Sequence, residues 1–260
     1  MKKVIFVDID GTIRNNNKEI TQETKEAIKN VVAKGTKVVI CTGRSRDYAI
    51  EVSKEALASP YVIASDGAYV YDYHDKLDLY TNEINKTTLE EIYTIAKRYN
   101  VNITADTTTG QYTDNRLEKS PSVTYKENFL EYVLQEKIIH IHLTSKNGTN
   151  MQKALVDIKK VKNIKLGFDG IYQFQDNYFI FIANPNSNKG DGINNFCKAL
   201  GIPLKETVGI GDDYNDIAMF KMVGQSVAMG NAYPDIKEIC DCITDTNENN
   251  GVAKWLNSNF

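Results

Sequence analysis

Val4-Ile5-Phe6-Val7-Asp8-Ile9-Asp10-Gly11-Thr12 is the stretch on which the fold turns. Four apolar residues in a row read as a strand buried on both faces, as in a parallel sheet covered by helices. Two acids, two positions apart, then stand at its carboxyl end. Side chains two apart on extended backbone point the same way, so Asp8 and Asp10 share a side. Gly11 lets the chain turn sharply away. Like charges held together in a partly dry place need a compensator, and a divalent cation is the obvious one. In an open α/β sheet the ligand crevice lies beyond the carboxyl ends of the strands, which is where this pair sits. Taken alone, the stretch also reads as a solvated Asp-Gly turn.

Outward from it the same texture recurs. Residues 37–42 (KVVICT) and 61–65 (YVIAS) are further buried runs. Between the first run and 37–42 the spacing predicts a helix capped by Thr21, with Ala27, Ile28, Val31 and Val32 on its apolar face and Gly35 at its stop, and between 37–42 and 61–65 a helix over 46–58. A hairpin is expected in VYDY-HDK-LDLY. The pattern resumes near the end with TVGIGD (207–212), SVAMG (226–230) and CITD (242–245), short helices lying between. Strands alternating with helices imply right-handed crossovers and a parallel sheet.

The middle differs. A helix over 87–98 is followed by less apolar, alternating segments: VNITA, QYTDN and KIIHIHLT. A helix over 151–160 then precedes IKLGFD, IYQFQ and YFIFIA. This predicts a mostly antiparallel α+β unit interrupting an α/β core. The fold class expected is therefore α/β: a Rossmann-like parallel-sheet core in three α/β/α layers, residues 1–81 plus 185–260, with an inserted α+β domain at 82–184. The polar runs Asn15–Asn17 and Thr246–Asn250 read as loops.

Three more clusters stand at element ends. Thr42-Gly43-Arg44 closes the second strand, offering a hydroxyl and backbone N–H groups to an anion. Asn188-Lys189-Gly190 precedes a helix expected from Asp191, a lysine beside a helix N-terminus. Gly209-Ile210-Gly211-Asp212-Asp213-Tyr214-Asn215-Asp216 gathers three carboxylates and an amide after a buried run. Its Gly-x-Gly is not a dinucleotide fingerprint, because acids follow where a third glycine and a phosphate-friendly loop are needed. Each cluster has a bland alternative as a solvated turn. Together they assemble what phosphoryl transfer requires: carboxylates for a hard cation, and a hydroxyl and an ammonium for phosphoryl oxygens.

Composition narrows the partners. The chain has 260 residues, about one and a half to two domains at roughly 150 residues each. With 31 basic and 34 acidic residues its formal charge is −3, a poor match for nucleic acid or an anionic membrane. No apolar run approaches the roughly 20 residues of a spanning helix. Met1-Lys2-Lys3 resembles a signal peptide's basic start, but the apolar run after it stops at Asp8. Cys41, Cys197, Cys240 and Cys242 are few and scattered, as in reduced cytoplasmic proteins, and Cys240-x-Cys242 lacks the spacer of a zinc knuckle or redox pair. His140-x-His142 places two imidazoles on one side of a strand, yet no further zinc ligand stands near in sequence.

DIDGT, TGR, NKG and GDDYND, in this order, resemble the four motifs of the haloacid dehalogenase superfamily. Within it the chain is most similar to the Cof-like phosphatases with a type IIB cap inserted between the second and third motifs. The resemblance spans essentially the whole chain. It implies Asp8 as nucleophile, forming an aspartyl-phosphate, and Asp10 as general acid and then base. It implies Thr42, the Gly43 backbone, Lys189 and Asn215 as phosphate contacts. Mg²⁺ would be held by Asp8, the Asp10 carbonyl and Asp212, while Asp216 would support Lys189 or the metal shell. Three places depart from the family pattern. Asp66 stands in Ser65-Asp66-Gly67-Ala68 where many relatives have Asn, Asp213 where many have Gly, and YFIFIA lacks an acid often present. These bear on the substrate.

The expected function is thus a cytoplasmic, Mg²⁺-dependent phosphatase of small phosphorylated metabolites, sugar phosphates foremost. A phosphomutase using the same intermediate and a non-catalytic phosphate-binding regulatory module stay open at this point. The insertion is expected to cover the carboxyl ends of the core strands and to choose the substrate.

Overall fold

β1 (Val4–Val7) is buried along its length and divides its side chains between two apolar clusters: Ile5 and Val7 enter one, Val4 and Phe6 the other. The computed structural model describes residues 3–260, the side chains of residues 168 and 169 excepted, so the basic start at Met1 and Lys2 lies outside the described residues. α1 (Gln22–Ala33) begins at Thr21, whose Oγ1 accepts from the Thr24 N–H at 3.2 Å. β2 (Lys37–Cys41) runs parallel to β1 with Ile40 opposite Val7. α2 (Arg46–Glu55) is shorter than expected. Ala56 caps it, and Leu57 takes a left-handed φ of 58°, which stops the helix. β3 (Tyr61–Ala64) lies parallel to β2, β4 (Tyr69–Asp72) returns antiparallel, and β5 (Leu77–Thr81) adjoins it, as the hairpin reading requires.

Thr81–Asn186 forms a compact unit of its own. In order it contains α3 (Lys86–Arg98), β6 (Asn102–Thr107), β7 (Gln111–Thr113), β8 (Val123–Tyr125), α4 (Phe129–Val133), β9 (Ile138–Ser145), α5 (Gly148–Ile158), β10 (Lys165–Phe174) and β11 (Asn177–Ala183). The sheet order is β10-β11-β9-β6-β7-β8, antiparallel except for the β7–β8 pair. IKLGFD and IYQFQ are one strand with a register shift between Leu166 and Ile171, rather than two. The short β8 and α4 have too few residues for a periodic pattern and were not foreseen. One apolar cluster joins Leu89, Ile92, Met151 and Ala154 of the helices to Ile103, Ile141, Leu143 and Ile180 of the sheet.

The first unit is completed by Ser187–Phe260. It adds α6 (Lys189–Ala199), β12 (Thr207–Gly211), α7 (Ile217–Met222), β13 (Ser226–Ala228), α8 (Pro234–Glu238), β14 (Cys242–Ile243) and α9 (Gly251–Asn259). α6 starts two residues before its expected start, because Asn188 takes the cap: its Oδ1 accepts from the Asp191 N–H at 3.0 Å. The sheet order is β14-β13-β12-β1-β2-β3-β4-β5, with every pair from β14 to β3 parallel. Helices α1, α2 and α9 bury one face and α6, α7 and α8 the other. The core is therefore the three-layer α/β/α sandwich expected. The strand order leaves β1 in both directions, through β2 on one side and β12 on the other. That makes the carboxyl end of β1 the topological switch point, where ligands of open α/β sheets bind.

Candidate active site

Asp8 follows β1 directly and is 6% exposed. Its N–H donates to the Ile210 carbonyl of β12 at 3.0 Å. The register sets Val7 beside Ile40 and Ile210, so Thr42 and Asp212 emerge from strand ends on either side of Asp8. Neighbouring strands lie about 4.8 Å apart, which brings residues distant in sequence within reach of one small anion.

Lys189, at the first turn of α6, points into this place and is buried. Its Nζ donates to Asp8 Oδ1 at 2.6 Å and to Asp216 Oδ1 at 2.5 Å. The second oxygen of Asp216 accepts from the N–H groups of Asp212 at 2.9 Å and Asp213 at 3.1 Å. Both Asp216 oxygens are thus engaged within the protein, and the residue acts as a clamp on Lys189 and on the acidic loop. Asp213 caps the 3₁₀ turn Tyr214–Asp216, its Oδ1 accepting from the Tyr214 N–H at 2.6 Å. That is a local reason for an acid at this departure from the family pattern.

Asp212 Oδ1 accepts from the Thr12 hydroxyl at 2.9 Å, and Asn231 Nδ2 lies 3.3 Å from Oδ2 while donating to the Gly11 carbonyl at 2.8 Å. Gly11 has a φ of 78°, and a Cβ there would stand 2.1 Å from Asp212 Oδ2. Thr42 is buried, and its Oγ1 accepts from the Arg44 N–H at 3.1 Å, which leaves the hydroxyl proton to donate elsewhere. Gly43 is exposed; a Cβ on it would meet Asp66 Oδ1 at 2.8 Å. Asp66, another departure, sits at a left-handed φ of 50° beside the Thr42–Arg44 loop. Asn215 is exposed in the 3₁₀ turn. Asp10 is half-exposed and held by Arg44 Nε at 2.9 Å and Lys18 Nζ at 3.4 Å.

The electrostatics follow from this crowding. Burial pushes the Asp8 carboxyl well above the usual carboxylate range; Lys189 pulls it back, while Asp216 and Asp212 push it further up. Burial also raises Asp212 to about 6 against the Thr12 hydrogen bond. For Lys189 burial acts downward, but Asp216 and Asp8 outweigh it and the ammonium stays charged. Asp10 goes the other way: the Arg44 hydrogen bond and charge, with Lys18, overcome its burial and lower it.

Asp8, Asp212 and Asp216 offer carboxylate oxygens within 4.8 Å of one another. Three carboxylates around one ammonium leave a formal excess of two negative charges, the charge of one divalent cation. Asp216 is fully buried and accepts three hydrogen bonds, whereas Asp8 accepts one from Lys189 and Asp212 accepts one on each oxygen, so Asp8 and Asp212 are the carboxylates with lone pairs to spare. An all-oxygen donor set suits Mg²⁺, and the missing Cβ at Gly11 is what lets the Asp212 carboxylate lie against this turn.

A model of the haloacid dehalogenase-like hydrolases matches residues 5–256. The chain belongs to that family. The 5-amino-6-(5-phospho-D-ribitylamino)uracil phosphatase YcsE of Bacillus subtilis is 26% identical over 98% of this chain and 94% of its own. Phosphoglycolate phosphatase of Methanobrevibacter smithii is 26% identical over 97% and 96%. A haloacid dehalogenase-like hydrolase from Bacteroides thetaiotaomicron superposes with a TM-score of 0.85 over all of both chains at 22% identity. As a haloacid dehalogenase-like hydrolase the chain is an enzyme, as its motifs led us to expect, and its relatives are named phosphatases.

Of the expected site residues, the structure brings Asp8, Asp212, Asp216 and Lys189 together, with Thr42 on the adjacent strand end. Thr12, Asn231 and Arg44 were given no role in advance. Thr12 belongs to the first motif, but Asn231 carries no signal beyond following the buried run 226–230. His140 and His142, beside which the sequence shows no third ligand, have Asp106 next to them across the β6–β9 pairing. All four cysteines are free thiols. No helix among the described residues is long and apolar enough to cross a membrane.

Proposed function

We propose that this hydrolase is a Mg²⁺-dependent phosphatase of small phosphorylated metabolites, sugar phosphates foremost, acting through an aspartyl-phosphate on Asp8. The observation that carries it is Lys189 held between Asp8 and Asp216, beside Asp212. A buried ammonium touching the attacking carboxylate offsets the repulsion between that carboxylate and an anionic phosphate. The relatives named as phosphatases and a structural neighbour described as a subclass IIB sugar phosphatase (TM-score 0.73, 22% identity) support the same reading.

Asp8 attacks the phosphorus atom, the bond to the ester oxygen breaks, and Asp10 gives its proton to the departing alkoxide. Thr42 and Lys189 hold the phosphoryl oxygens, with the Gly43 backbone and Asn215. Asp10, now ionised, takes a proton from water as that water attacks phosphorus. Inorganic phosphate leaves and Asp8 is restored. The pairing of Asp10 with Arg44 and Lys18 favours the ionised form, which suits the second step; substrate must draw Asp10 away from Arg44 for the first. Mg²⁺, when bound by Asp8, Asp212 and the Asp10 carbonyl, would neutralise charge on the transferring group. The inserted unit is the proposed specificity element.

The test is turnover. Free phosphate should be released from an aryl phosphate and from a panel of sugar phosphates, and Asp8→Asn should abolish both hydrolysis and acid-stable phosphorylation of the protein. An isomerised sugar phosphate without free phosphate would assign a mutase. Stoichiometric phosphorylation without turnover would assign a regulatory module.

A further inference from the structure

In the Thr81–Asn186 unit, the sheet face opposite the helices gathers a second set of metal-ligand side chains. Along β9 the core takes Ile141 and Leu143, so His140 and His142 alternate onto the other face. The β6–β9 register sets Asp106 opposite His140 and Thr104 opposite His142. Cross-strand partners stand about 5 Å apart, so a carboxylate on β6 reaches the imidazoles of β9. Ligand atoms of Asp106, His140 and His142 all lie within 4.8 Å of one another, and the three residues are partly buried.

We propose that Asp106, His140 and His142 form a transition-metal site, for Zn²⁺ first, separate from the carboxylate site of the core. Two imidazole nitrogens and one carboxylate oxygen are a borderline donor set, which prefers Zn²⁺ and its neighbours to Mg²⁺ or Ca²⁺. The core cluster, by contrast, is all oxygen. Three ligands leave a fourth position of a tetrahedral ion to water or to a ligand atom. Zn²⁺ bond lengths of about 2.0–2.1 Å imply ligand separations of roughly 3.3 Å. The ligand atoms, within 4.8 Å of one another at a partly exposed face, have to draw together by about 1 Å or more to close on an ion.

The surroundings are built in keeping. Gln111 Nε2, on the adjacent β7, donates to Asp106 Oδ1 at 2.7 Å, orienting the carboxylate and leaving Oδ2 for the ion. Phe181 lies opposite His142 in the β9–β11 register, its ring 6.0 Å from both imidazoles. Phe179 stacks on Phe181 at 5.8 Å, and Tyr172 stands 6.4 Å from it. These rings flank the imidazoles on the β11 side.

The test uses the full chain, stripped with chelator and then held in excess Mg²⁺ to fill the core site. Zn²⁺ titrated calorimetrically should bind at one equivalent. Co²⁺ should develop the visible absorption of a four- or five-coordinate nitrogen–oxygen site. Gln111→Ala should weaken Zn²⁺ binding about 10- to 100-fold, as loss of an orienting partner does. His140→Ala and His142→Ala should weaken it more and remove the Co²⁺ band. Asp212→Asn should retain the Zn²⁺ equivalent and the band, showing that the core carboxylates are not the site. Circular dichroism and melting checks that each variant is folded, and histidine ring resonances of the wild-type chain, shifted by diamagnetic Zn²⁺, supply a readout needing no variant. Absence of Zn²⁺ binding in excess Mg²⁺, or binding and Co²⁺ absorption unchanged in both histidine variants, overturns the proposal. The outcome is independent of whether the core proves to be a phosphatase.

Discussion

Lys189 and Asp216 form an ion pair in which neither side chain is exposed, with Nζ 2.5 Å from Oδ1. Breaking a buried pair leaves one charge uncompensated in a poorly polarisable place, at about 3–5 kcal/mol. Asp216→Ala should therefore lower unfolding free energy by about that amount in metal-free buffer. Asp216→Asn should cost less, because an amide oxygen can still accept from the Asp212 and Asp213 N–H groups. Both should slow turnover, since Lys189 would lose half of its anchoring. Urea unfolding read alongside kcat decides it; wild-type stability in the alanine variant would contradict the clamp.

Asp10 is half-exposed and makes its ion pairs at the surface, with Arg44 and Lys18. Such pairs contribute little to stability. Asp10→Asn should consequently melt like the wild type while losing roughly 10²- to 10⁴-fold in kcat, the usual worth of positioned acid–base help. Wild-type turnover by the variant would remove Asp10 from the reaction.

Gly11 holds a φ of 78° with Asp212 Oδ2 where its Cβ would be. Gly11→Ala must displace Asp212 as well as strain the backbone, the latter at about 1–3 kcal/mol. The Mg²⁺ concentration for half-maximal activity should rise about tenfold or more, beyond any loss of stability. A Mg²⁺ titration of activity, compared with melting in chelator, separates the two effects; an unchanged titration would show that Asp212 is not a metal ligand.

The raised Asp212 carboxyl sets a pH signature. Its pKa is about 6 in the fold against the usual 3.8, chiefly through burial. A raised acid favours the fold while protonated, and that contribution is lost as pH rises through 6. Asp8, raised in the same direction, adds to the effect. The metal-free protein should therefore lose stability between pH 5 and 7.5, while Mg²⁺, binding the ionised carboxylates, should restore it. The Mg²⁺-induced rise in Tm should be small near pH 5 and larger at pH 7.5. A rise of equal size at both values would argue against carboxylate ligation.

If the inserted unit selects the substrate, replacing Thr81–Asn186 by a short linker should leave hydrolysis of a small aryl phosphate and abolish discrimination among sugar phosphates. Retention of the wild-type ranking by the excised core would locate specificity in the core instead.

Much of the fold was legible because its signals are local. The apolar runs at 4–9, 37–42 and 207–212 became β1, β2 and β12, and the Thr21 cap starts α1. Where elements are too short for periodicity, as at Val123–Tyr125 and Phe129–Val133, no pattern existed to read. Leu57 ended α2 early through a left-handed conformation that residue type does not announce.

The four motifs, and the fact that each closes a strand or opens a helix, were determined by the sequence alone. Alternation of apolar runs with helical periods is a short-range property, and strand ends are where a parallel sheet must place its ligands. Which side chains meet was decided only by tertiary structure. Lys189 finds Asp8 across 181 positions and Asp216 across 27, and Asn231 reaches Asp212 from a third strand end. Asp106 faces His140 through a register no spacing encodes. These meetings follow from strand order and register, which are set by burying whole apolar faces at once. A polar side chain takes whatever partner that global packing delivers to it.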